Sequence, residues 1–122
     1  MEWIEKFIRD GKEFIYSDFS GLTTDKVYTG RTEYAVSVIE KSDNNSLYII
    51  ANANSVRFDS NTKKITARFI EKIKPYVKSV SVIGVDGIKK LMISAAMKMD
   101  GQMNIYFAYS KEDAIDWLLK HG

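Results

Sequence analysis

A chain of 122 residues, 45% hydrophobic and 28% charged, has room for one domain with a sizeable core, and that balance argues against disorder. Its 18 basic and 16 acidic side chains leave a net charge of +2, which points neither to nucleic acid nor to an anionic membrane surface. With no cysteine there can be no disulfide, thiolate metal site or cysteine nucleophile.

The start, Met1-Glu-Trp-Ile-Glu-Lys6, carries charges where a leader peptide would be apolar, and no run of 18 apolar residues follows. A cytoplasmic protein without stable membrane insertion is expected, a single domain over residues 1–122. Trp3, Phe7 and Ile8 flank Asp10-Gly11 on one side and Phe14-Ile15-Tyr16 on the other. Asp-Gly is the two-residue turn whose positive φ matches strand twist, so a hairpin is predicted with strands near 2–9 and 12–18.

Thr23 or Thr24 then caps a helix reaching about Lys41, with Val27, Tyr34, Ala35, Val38 and Ile39 on one face. Gly30 interrupts it at a cost of roughly 1 kcal/mol against alanine unless packing needs the missing side chain. After the turn cluster Ser42–Ser46, the apolar run Leu47–Ala51 is too short for a helix and reads as a strand buried on both faces. Asn52, Asn54 and Ser55 favour a turn, and a second helix opens near Asp59-Ser60 with Ile65, Phe69, Ile70 and Ile73 as its stripe. It ends before Pro75. A strand over 77–83, a helix over about 87–100, a strand over 103–108 and a final helix opening at Ser110-Lys-Glu-Asp113 complete the chain. The predicted order is β-β-α-β-α-β-α-β-α, an α/β fold with a mixed, mostly parallel sheet and an N-terminal hairpin.

Four segments together resemble the STAS domain family, whose members include the SpoIIAA-like anti-sigma-factor antagonists, and in particular its small stand-alone bacterial proteins. They are Tyr16-Ser-Asp-Phe-Ser-Gly-Leu22, Asn54-Ser-Val-Arg-Phe-Asp59, Lys74-Pro-Tyr-Val-Lys78 and Ile83-Gly-Val-Asp-Gly-Ile-Lys-Lys-Leu91, and the closing Glu112–Leu118 agrees with them. In the antagonists a serine at a helix start after a strand and loop is phosphorylated by the partner kinase. The resemblance places Ser60 there, with Asp59 and Ser60 matching the family pattern and Asn61 and Thr62 replacing its second serine and its glycine. It implies a regulatory, non-enzymatic module whose partner is a protein, an anti-sigma-type kinase or another regulator.

Read from the residues alone, a polar loop before a helix N-terminus is where an α/β domain usually binds. The candidate contact residues are Asn52, Asn54, Ser55, Arg57, Asp59, Ser60 and Thr62. A phosphate on Ser60 would meet the positive end of the helix dipole and add nearly two negative charges. The plainer reading is that Asp59 or Ser60 caps the helix and that the loop satisfies its own turn. Gly84-Val-Asp-Gly-Ile-Lys-Lys90 lacks the Gly-Lys-Ser/Thr ending of a phosphate loop, which leaves Lys89 and Lys90 as a solvated face. The only histidine, His121, is penultimate, so no catalytic residue, metal ligand or cofactor is assigned. The alternative function is an apolar-ligand or lipid-binding domain with a pocket between the third helix and the sheet, lined by Met92, Met97, Met99 and Met103.

Overall fold

The computed structural model describes residues 2–87, 89–91, 93 and 104–122. Strands β1 (Ile4–Arg9) and β2 (Lys12–Asp18) are followed by α1 (Asp25–Ile39), β3 (Leu47–Asn52), α2 (Ser60–Ile73), β4 (Val77–Ile83), β5 (Asn104–Ala108) and α3 (Lys111–His121). Residues 87, 89–91 and 93 are also helical, at the start of the helix expected over 87–100. The rest of that helix lies outside the described residues, as do Met92, Met97, Met99 and Met103.

The hairpin forms as its turn dictates. Asp10 and Gly11 have φ of 52° and 75°, and β1 pairs antiparallel with β2 so that Arg9 faces Lys12 and Phe7 faces Phe14. From β2 onward every pairing is parallel, and the sheet order β1-β2-β3-β4-β5 simply follows the chain. Crossovers of the usual right hand that always step the same way lay their helices on one face. Accordingly Ala35 and Ile39 of α1 and Ile70 and Ile73 of α2 share a core with Ile15, Ile49, Val80 and Val82. The opposite face belongs to α3, whose Ala114, Ile115 and Leu118 pack on Phe14, Tyr48 and Ile50. Because β3 lies between the two cores, Leu47 to Ile50 are all buried.

This second face is rich in aromatic rings. Phe7 stacks on Phe14 with centroids 5.1 Å apart, and Phe14 meets Tyr48 at 5.3 Å. Lysines lie across the rings at the margin: Lys12 and Lys78 over Tyr48, and Lys111 over Phe7 and Tyr16. Their stems cover apolar surface while the amines stay near water.

The stripe predicted for α1 is corrected by the structure. Its buried residues are Tyr28, Thr32, Ala35 and Ile39, whereas Val27 and Tyr34 are 45% and 38% exposed. The inward face runs through two residues that carry hydroxyls. The Tyr28 hydroxyl is satisfied inside by Thr66 of α2 at 2.6 Å. Burial pushes the Tyr28 phenol above its ordinary pKa, and the Thr66 bond offsets part of that rise. The start of α3 departs in a smaller way. Ser110 caps it, accepting from the Asp113 N–H at 3.1 Å, but Asp113 turns to the Tyr109 N–H and the Tyr106 hydroxyl instead of closing a box.

Candidate functional site

At the end of β3 the backbone leaves the sheet over Asn52, and its neighbours hold it on both sides. The Phe19 and Gly21 N–H groups donate to the Asn52 and Asn54 carbonyls, and the Arg57 N–H donates to the Leu22 carbonyl. On the other side the Ala53 N–H reaches the Ile83 carbonyl. Val56, 3% exposed, anchors the loop in a small cluster with Phe19 and Tyr28. Lys89 donates to the Val56 carbonyl at 3.0 Å, so this lysine ties the loop down and is not part of a solvated face.

Gly84 explains how closely the two loops approach. It has φ of +80°, and a Cβ there would lie 2.6 Å from the Asn54 Cα. The glycine is needed for this close backbone packing. Beside it opens a groove of about 330 Å³ whose walls include Asn54, Asp86, Lys90, Phe107 and Tyr109.

The start of α2 resolves which residue is the cap. It is Asp59, whose carboxylate accepts from the Asn61 and Thr62 N–H groups, both at 3.0 Å. Thr62 reciprocates by accepting from the Asp59 N–H at 2.7 Å, which completes a capping box. Arg57 then bridges two helices, with its Nε 2.9 Å from Asp59 and its Nη2 2.7 Å from Asp25 at the start of α1. The Thr62 N–H, with help from the Arg57 charge and the Asn61 N–H, holds the Asp59 carboxyl below its ordinary pKa against the opposing effect of desolvation.

Of the seven candidate residues, the structure gathers all at this end of the sheet but does not expose all. Thr62 is 2% exposed and committed to the cap, so it offers no surface of its own. Asn52 is half-buried, its Oδ1 accepting from the Asn54 N–H in the self-satisfying turn its residue type favours. Asn54, Ser55, Arg57 and Ser60 are exposed, and Ser55 takes φ of 60° at the loop tip. Ser60 occupies the first helical position, and none of the described residues bonds its hydroxyl. Asp25 carries no mark of its role in the sequence, since an acidic residue at a helix start is ordinary there and the ion pair to Arg57 spans 32 positions.

The Met-lined pocket expected beside the third helix lies outside the described residues, but a separate apolar cavity lies under α2. A cavity of about 60 Å³ is walled by such residues as Phe19, Ile49, Phe58, Phe69, Val82 and Ile93. Among the described residues no three His, Asp or Glu side chains come together as a metal site requires. Nor is any described helix long and apolar enough to cross a membrane. Set against the models of known protein families and against curated proteins, the chain matches none.

Proposed function

We propose that this chain is a STAS-like regulatory module that binds a protein partner through the loop ahead of α2, with Ser60 as a phosphorylation switch. The observation that carries the reading is the division of labour at the start of α2. Asp59 and Thr62 are committed to the cap, while Ser60 stands exposed at the first helical position with its hydroxyl bonded by none of the described residues. A serine so placed can be modified without dismantling the helix. Its phosphate would sit at the positive end of the helix dipole and make an already anionic cap far more negative toward a docking partner. The hairpin followed by strand-helix alternation agrees with what the resemblance implies for this family. The apolar-ligand reading rests on Met92, Met97, Met99 and Met103, which lie outside the described residues, and the separate cavity under α2, about 60 Å³, is smaller than the ~150 Å³ that accepts benzene.

The test pairs binding with folding. The partner recovered with the wild-type chain is titrated against Ser60→Asp and Ser60→Ala, and all three proteins are melted. Ser60→Asp is expected to weaken binding by about 1–3 kcal/mol because a charge enters a surface that must be desolvated. Ser60→Ala should bind as wild type does, and neither change should shift stability by more than about 0.5 kcal/mol. Undiminished affinity in Ser60→Asp would end the switch hypothesis.

A further inference from the structure

We infer that β1 is a homodimer interface, two copies joining edge to edge in one antiparallel register centred on Phe7. Among the described residues the strand is the outer edge of the sheet, paired with β2 on its inner side. The Asp18 N–H donates to the Trp3 carbonyl, and the pairing runs on through Phe7–Phe14 to Arg9–Lys12 beside the turn. In an antiparallel ladder, hydrogen-bonded and non-bonded pairs alternate. Residues 3, 5, 7 and 9 therefore spend their backbone groups on β2. The N–H and C=O groups of Ile4, Lys6 and Ile8 point away from the sheet, ready for another strand. Ile8 also leaves 69% of its surface in water on this edge.

Charge selects both the occupant and the register. Glu5 and Arg9 project on the same face as α3, where Glu5 pairs with Lys111 at 3.0 Å and Arg9 with Glu112 at 3.4 Å. All four side chains keep at least 39% of their surface exposed, so each can take a second partner. When a second β1 runs antiparallel with Phe7 opposite the other copy's Phe7, Lys6 faces Ile8 and Glu5 faces Arg9. Each end of the seam then reads lysine, glutamate, arginine, glutamate, with signs alternating throughout. Shifting the centre to Lys6 would set that lysine against itself. The twofold axis makes the surface self-complementary, as an isologous dimer requires, and the two sheets become one of ten strands.

The absence of cysteine makes the register directly readable. Residues opposite their own copy in a non-hydrogen-bonded pair lie close enough to form a disulfide, and only position 7 meets itself here. Sedimentation equilibrium of the wild-type chain should give twice the 14.0 kDa mass of one copy. Under mild oxidation Phe7→Cys should convert to a covalent dimer, whereas Ile8→Cys, facing Lys6, should remain largely uncrosslinked. Lys6→Pro removes one outward N–H while sparing the ladder to β2 and should yield a monomer with an unchanged circular dichroism spectrum. Should Lys6→Pro unfold, Arg9→Glu, which sets like charges face to face twice, must weaken dimerisation at least tenfold. A wild-type monomer at millimolar concentration would overturn the inference, and so would crosslinking of Ile8→Cys equal to that of Phe7→Cys.

Discussion

The Asp59 carboxylate accepts from two N–H groups and faces Arg57, so protonating it removes a helix cap and an ion pair together. Its pKa in the folded chain lies below the unfolded value of about 3.9. The stability it contributes is therefore complete above that value and is lost as pH falls through the lower folded value. Wild type should be the more stable of wild type and Asp59→Asn at neutral pH, and the two should converge as the solution is taken below about pH 4, which thermal melting across an acid series would show. Gly84 offers a test that does not depend on pH. A methyl group there meets the Asn54 backbone and a positive φ together, so Gly84→Ala should cost about 1–3 kcal/mol by chemical denaturation. The residue type at Asp59 announced a cap, whereas the motif around Gly84 said only that it lacks the ending of a phosphate loop. Nothing in the local sequence announced that Arg57 would reach Asp25 or that Gly84 would meet Asn54, since both contacts join segments far apart in the chain.

Elements with their own local signals were legible. The hairpin was marked by Asp10-Gly11 between aromatic runs, and α2 by its cap, its stripe and Pro75 beyond its end. The inward face of α1 was harder to read because tertiary contacts, the Tyr28–Thr66 bond among them, bury hydroxyl-bearing residues that the apolar pattern passes over. Within the same helix, Gly30 is not held by close packing. Nothing lies within 4 Å of where its Cβ would be, so a side chain has room there. Gly30→Ala should raise stability by about 0.5–1 kcal/mol, measured as a shift in denaturant midpoint at constant slope. Phe69 is only half-buried, with its ring edge-on to Phe19 at 6.0 Å. Because it also adjoins the cavity under α2, Phe69→Ala should cost about 3 kcal/mol, the low end for a core phenylalanine. A midpoint equal to wild type would show that this ring contributes no packing.

For the whole molecule, the alternation of strands and helices was enough to predict an α/β sheet with one antiparallel pairing, because parallel neighbours need crossovers. The strand order was not written in any segment. It follows from which edges meet once the chain has collapsed, and an order that never reverses leaves no switch-point crevice of the doubly wound kind. The candidate surface is built instead from loops pressed together where β3 and β4 end. The same order gives one face to helices in the crossovers and, among the described residues, leaves the other to α3. Leu118, fully buried at the centre of that contact, should therefore cost about 2–5 kcal/mol when changed to alanine, read from thermal or denaturant unfolding. The lysines across the rings of this face also govern how the protein would respond to chemistry at its amines. An acyl group on Lys12, Lys78 or Lys111 would erase the charge that seats each amine over its ring. The stems would swing free and leave aromatic surface wet, inviting aggregation. Amine-acylating labels should thus make the protein sticky, whereas reductive methylation, which keeps the charge, should leave it as it was.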